Sequence, residues 1–131
     1  MNRKWKRMYV QLFITLLLTF FVSYYIGEIL KNMVKAPRPC VGLVGCPQDY
    51  SFPSRHTLIA FALTTAFMLE TKNKILSSLF AVTSIVIGSL RVVTFVHTPA
   101  DVIAGAIIGI AIGFIVQRFY LFLRFYYSEN K

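Results

Sequence analysis

Apolar runs too long for a soluble core constrain this chain before anything else does. From Met8 to Leu30, about 23 residues are apolar, aromatic or weakly polar, and Glu28 is the one carboxylate among them. Comparable runs cover 75–96 and 99–123. A helix rises about 1.5 Å per residue, so about 20 such residues cross the hydrocarbon of a bilayer. In that solvent every backbone N–H and C=O must be paired within the segment, which favours helices as the spanning elements. A soluble domain with 56% hydrophobic residues would be unusual, and mean hydropathy is +0.64. Residues 1–131 are therefore read as a single all-α domain, an integral membrane bundle of four transmembrane helices at about 8–30, 54–71, 75–96 and 99–123.

The breaks between the runs carry the polar residues. Residues 31–53 hold four of the five prolines, Pro37, Pro39, Pro47 and Pro53, and both cysteines, which argues against a continuous helix. The second helix starts at Ser54, after Pro53, and is short for a span, so its ends rely on snorkelling or local thinning. Lys72 and Lys74 mark a tight turn. Thr98-Pro99-Ala100-Asp101 reads as a helix start, with Thr98 as N-cap, Pro99 at the first helical position and Asp101 three residues after the cap. Gly105, Gly109 and Gly113 are spaced four apart and predict a face for close helix packing, with the partner helix open between this chain and another. The first apolar run is too long, and lacks the small-residue cleavage site, of a signal peptide.

Fourteen basic and five acidic residues give a formal net charge of +9. The cations sit at helix ends, which fits anionic lipid headgroups or a phosphorylated substrate better than nucleic acid. Placing the basic start in the cytoplasm puts nine cations inside: Arg3, Lys4, Lys6, Arg7, Lys72, Lys74, Arg118, Arg124 and Lys131. Five fall outside, Lys31, Lys35, Arg38, Arg55 and Arg91, against the positive-inside bias. A phosphate group held at the outer face accounts for them. Chain parity brings Lys31, Arg38, Ser54, Arg55, His56, Arg91, His97 and Asp101 to that same layer, together with the N-termini of the second and fourth helices. Free backbone N–H groups and the helix dipole favour an anion there. His97, just ahead of such an N-terminus and four residues from Asp101, is a candidate nucleophile toward phosphorus.

Three pieces in order, Lys31-x6-Arg38-Pro39, Pro53-Ser54-Arg55-His56 and Arg91-x5-His97-x3-Asp101, resemble the signature of the type-2 phosphatidic acid phosphatase family. That family includes lipid phosphatases, polyprenyl diphosphate phosphatases and, more distantly, the vanadium haloperoxidases, so the resemblance implies the acid phosphatase/haloperoxidase-like helical core. It implies His97 as the nucleophile that forms a phosphohistidine and Asp101 as the acid that orients its ring. His56 would be the general acid and then the base. Lys31, Arg38, Ser54 and Arg91 would form the phosphate clamp. No metal and no other cofactor is implied. The chain departs from the family pattern in three places. Arg55 stands where glycine is usual, Leu90 stands before Arg91 where serine is usual, and four helices are counted where membrane members commonly have six. The extra cation at Arg55 would meet a second phosphate or a lipid headgroup.

Each residue also has a plainer role. Asp101 can cap the fourth helix, Lys31 can neutralise Glu28 one turn earlier, Arg91 can snorkel, and Lys35 fits no motif position. Cys40 and Cys46 could close a small loop on an oxidising face. The expectation is a multi-pass cell-membrane phosphatase with both termini cytoplasmic. It would hydrolyse a lipid phosphate or diphosphate, best a polyprenyl diphosphate, at the outer face. Phosphatidate or phosphatidylglycerophosphate hydrolysis is the alternative within the family, and a non-catalytic phosphate-binding membrane subunit the alternative outside it. Membrane lipids are the expected surroundings, and a second copy of the chain is open as a partner.

Overall fold

The computed structural model describes residues 3–129, as four α-helices with no strand among the described residues: α1 (Arg3–Val34), α2 (Arg55–Glu70), α3 (Lys74–Val93) and α4 (Pro99–Glu129). Of the cations assigned to the inner face, Lys131 and the side chains of Arg3, Lys4, Lys6 and Arg7 lie outside the described residues. Met8–Val34, Lys74–Val93 and Pro99–Tyr127 are long and apolar enough to cross a membrane. Three of the four expected spans thus meet the demand of length and composition. α2 has 16 residues, a rise of about 24 Å against a hydrocarbon layer of about 30 Å.

α2 is the hub of the bundle. α1, α3 and α4 all pack on it, and Thr57, Leu58, Ala62, Thr64, Ala66 and Phe67 are buried around its circumference. A helix apolar on every side is stable where neighbours cover it. The three outer helices turn large side chains such as Phe13, Ile115 and Phe119 outward, more than half exposed. Only hydrocarbon makes such a surface favourable, and the protein is a membrane protein.

The glycine face predicted on α4 packs on α2 of the same chain. A Cβ on Gly105, Gly109 or Gly113 would lie 2.8, 2.3 or 2.4 Å from the carbonyl oxygens of Ser54, Leu58 and Ala62. These three carbonyls are themselves four residues apart, so two backbones are in contact along two helical turns. α1 approaches by a similar device that the sequence reading did not single out: Thr15, Thr19, Ser23 and Gly27, spaced four apart, are all buried. α3 is joined to α2 through the hydroxyls of Thr64 and Ser84, 2.8 Å apart.

Helix ends differ from expectation at three points. α1 continues through Lys31 to Val34 and stops at Lys35, which adopts φ 52 and donates its N–H to Lys31 O at 2.9 Å. α3 stops at Val93 rather than Val96, because Phe95 adopts φ 56 and donates to Val92 O at 2.9 Å. Lysine and phenylalanine seldom take left-handed backbone, so neither residue type marks a helix end. α4 runs past Leu123 to Glu129 through a stretch with no breaker.

Candidate active site

The α1–α2 loop, the α3–α4 turn and the first turns of α2 and α4 meet at one end of the bundle. Ser54 N–H donates to Asp101 O at 3.0 Å, which fixes the start of α2 against the start of α4.

His97 is at the centre and is 2% exposed. Its Nε2 lies 3.1 Å from Arg38 NH1. Guanidinium nitrogens donate only, so Nε2 is the acceptor and the ring proton belongs on Nδ1. Nδ1 faces Ser51 Oγ at 3.4 Å and Asp101 Oδ2 at 3.7 Å. Ser51 Oγ in turn donates to Asp101 Oδ2 at 2.5 Å. A hydroxyl is thus interposed between imidazole and carboxylate: the 3.7 Å separation is too long for a direct hydrogen bond, and Ser51 spans it.

Asp101 also caps α4. Its Oδ2 accepts Thr98 N–H at 2.7 Å while its own N–H donates to Thr98 Oγ1 at 3.2 Å, a reciprocal capping box. The capping role and the position beside His97 therefore coexist in one carboxylate. Burial chiefly, with the positive charges of Arg38 and Lys31, lowers the His97 pKa to about 4, against the pull of Asp101. His97 is neutral at pH 7, with an unprotonated Nε2.

Lys31 and Arg38 are both buried. Lys31 Nζ donates to Asp49 Oδ2 and to Tyr50 O, each at 2.5 Å. Arg38 donates through Nε to Asp49 O at 2.9 Å, through NH2 to Asp49 Oδ1 at 2.6 Å and through NH1 to Val96 O at 2.8 Å. Partial burial would raise the Asp49 pKa, but hydrogen bonds and charges from Lys31 and Arg38 outweigh it and hold the carboxyl at about 2. Arg91 sits in the last turn of α3, and its carbonyl accepts His97 N–H at 3.1 Å. Its Nε is buried with no hydrogen-bond partner among the described residues.

His56 is exposed in the first turn of α2. The charges of Arg91, Lys31 and Arg38 bear on both imidazoles, so the two rings share one electrostatic neighbourhood. Ser54 Oγ pairs with Thr57 Oγ1 at 2.9 Å. Arg55 is drawn to α1, where its NH1 meets Glu28 Oε2 and its guanidinium lies 4.8 Å from the centre of the Tyr24 ring. Glu28 is therefore paired with Arg55, and the plainer Lys31–Glu28 reading gives way to Lys31–Asp49. Lys35 is exposed. Among the described residues, no three His, Cys, Asp or Glu side chains gather as metal ligands would.

Sequence reasoning missed Asp49 and Ser51. Asp49 had a signal: it is the one carboxylate in residues 31–53, in a loop crowded with cations. Ser51 had none beyond its nearness to Pro53. Cys40 and Cys46 form a disulfide.

Residues 12–125 match the model of the PAP2 superfamily. The chain belongs to the PAP2 superfamily. An undecaprenyl-diphosphatase of Bacillus subtilis is 32% identical over 93 residues, covering 67% of this chain and 47% of that protein. An undecaprenyl-diphosphatase of Sulfolobus acidocaldarius is 38% identical over 69 residues, covering 53% of this chain and 33% of that protein. The fold matches that of a transmembrane PAP2-type phosphatidylglycerolphosphate phosphatase from Bacillus subtilis. The TM-score is 0.71 and the identity 24%, over 81% of this chain and 57% of that one. The chain spans 25% to 47% of the length of the curated relatives that it matches.

Proposed function

We propose that this PAP2 chain is a metal-independent membrane phosphatase that hydrolyses a lipid phosphate or diphosphate through a phosphohistidine on His97. The observation that carries the reading is the state of that ring: buried, neutral, with Nε2 bare of its proton and facing a buried arginine. Such a nitrogen is a nucleophile whose target must be an anion, because the wall around it is positive.

In the first step His97 Nε2 attacks phosphorus, Arg38 NH1 moves from Nε2 to a phosphate oxygen, and the bond to the leaving oxygen breaks. His56 gives that oxygen its proton. Ser51 and Asp101 support the positive charge growing on the imidazole. Lys31, Arg38 and Arg91, whose Nε has no other partner among the described residues, stabilise the equatorial oxygens. Water then attacks the phosphohistidine, His56 takes its proton, and the N–P bond breaks. Ser54 assists by fixing the first turn of α2, and Arg55 serves a second phosphate only after leaving Glu28. The names of the two undecaprenyl-diphosphatases favour a polyprenyl diphosphate as substrate. The basic start of α1 favours cytoplasmic termini, four crossings of the cell membrane and a site facing outside.

The test is phosphate release by the full chain from a panel of lipid monophosphates and diphosphates in excess chelator. Release that is fastest from polyprenyl diphosphate and lost in His97→Ala is expected. Phosphate binding without release would favour the non-catalytic subunit instead.

A further inference from the structure

The loop between α1 and α2 is closed three times, each closure inside the last. Outermost, Ser51 N–H donates to Ala36 O at 2.8 Å. Next, Arg38 grips Asp49 at both its carbonyl and its carboxylate, at 2.9 and 2.6 Å. Innermost, Cys40 and Cys46 are bridged, with Cα atoms 5.6 Å apart. The paired residues, 36 with 51, 38 with 49 and 40 with 46, step inward on both sides like rungs.

The ring inside the disulfide makes little other claim on the molecule. Gly42 and Gly45 turn it at φ 88 and 84, and nothing lies within 4 Å of where their Cβ atoms would be. Val41, Leu43 and Val44 are exposed. The ring therefore acts on its surroundings by covalent closure more than by packing.

The rung above it reaches the site. Asp49 offers Oδ1 to Arg38 and Oδ2 to Lys31, so a single carboxylate sets the distance and orientation of two buried cations from different segments. Two buried cations without it would repel each other and lose their fixed geometry. Asp49 takes one of the three Lys31 N–H groups and Tyr50 O a second, which leaves one for a phosphate oxygen. Asp49 thus works through the cations rather than on the reacting atoms.

We propose that Asp49 is a positioning residue for the phosphate clamp, and that the Cys40–Cys46 bridge keeps it in register with Arg38, so that the site's affinity for phosphate depends on a closed bridge. This rests on the phosphatase reading above and names two residues and a covalent bond that set its substrate binding.

The experiment compares the full chain in detergent with Asp49→Asn, Asp49→Glu, Cys40→Ser/Cys46→Ser and the triple variant Asp49→Asn/Cys40→Ser/Cys46→Ser. Three readouts apply: hydrolysis kinetics on a lipid phosphate, orthovanadate affinity by calorimetry, and helix content by circular dichroism. Loss of fixed geometry at a reacting centre costs up to about a hundredfold in rate, so Asp49→Asn should lower kcat/KM and weaken orthovanadate binding, each by about tenfold or more. Asp49→Glu should recover part of the loss. The serine pair should shift the same two constants in the same direction by a smaller factor. The triple variant should be no worse than Asp49→Asn, since residues acting as one unit are not additive. Tighter orthovanadate binding in Asp49→Asn would overturn the proposal, because Asp49 would then be a competitor for the anion site. So would additive losses in the triple variant, or an unchanged serine pair. Calorimetry reads the clamp whether or not turnover occurs. A wild type that binds orthovanadate in this pattern but releases no phosphate sinks the phosphatase reading and leaves the positioning role standing.

Discussion

The first turn of α2 and the rest of that helix are held by opposite means. At its start, Ser54, Arg55 and His56 lie beside a cap of charges and hydroxyls from loop 35–54 and turn 94–98, held by hydrogen bonds and ion pairs. Below, along Leu58 and Ala62, α4 touches the backbone itself through Gly109 and Gly113, with no side chain between. The cap uses directional bonds, which the proposed mechanism exchanges when Arg38 leaves Nε2 for a phosphate oxygen. The glycine seam uses contact that nothing can exchange. On that proposal, a site that rearranges around an anion is mounted on a joint that leaves no room to move, which suits preorganised electrostatic catalysis.

If that division is right, substitutions in the two regions fail in different ways. The largest effect belongs to His97→Ala, expected to lower kcat by about a thousandfold or more, as loss of a nucleophile does, while helix content stays at the wild-type level. Ser51→Ala should come next. It removes the hydroxyl between His97 and Asp101 and should lower kcat/KM by about ten- to a hundredfold. An unchanged rate would place the two in direct contact during turnover.

Gly109→Ala should show the reverse pattern. A methyl forced against Leu58 O costs about 1–3 kcal/mol, read as earlier thermal unfolding in detergent, with kcat per folded molecule little changed. Glu28→Gln should matter least, because partly exposed pairs contribute about 0–1 kcal/mol. Its use is to release Arg55, and a gain on diphosphates over monophosphates would assign that arginine to the second phosphate.

Acid should strike the cap first. His97 has a folded pKa near 4, below its ordinary value of 6.5, so the unfolded chain binds a proton that the folded chain refuses. Its contribution to stability is intact above 6.5 and falls away as pH drops toward 4. A thermal midpoint that declines through this window, and declines less in His97→Gln, is the expected result. A midpoint flat from pH 7 to 4 would contradict the burial of a neutral ring.

Much of the shaft was legible from composition because hydrocarbon enforces it: the long apolar runs could only be helices, and small residues four apart on α4 could only mean a close neighbour. Which neighbour was not legible, since spacing describes one face and not its mate. The site was legible where chemistry demands particular residue types, as with His97, Arg38 and Asp101. It was illegible where support is generic. Ser51 is an ordinary hydroxyl until the loop closes and sets it beside Nδ1. Asp49 required knowing that Lys31 belongs to the end of α1 and faces the loop, which follows from the left-handed turn at Lys35. The role of Arg55 could not be read from its departure from the family pattern, because its partners Glu28 and Tyr24 lie on another helix.

The central claim is tested most directly by stopping a single turnover of a radiolabelled lipid phosphate in base and mapping the labelled peptide by mass spectrometry. The account predicts one acid-labile, base-stable phosphoryl group, on His97, formed and lost at rates compatible with turnover. Label on another residue, or full turnover by the His97→Ala protein, would contradict it.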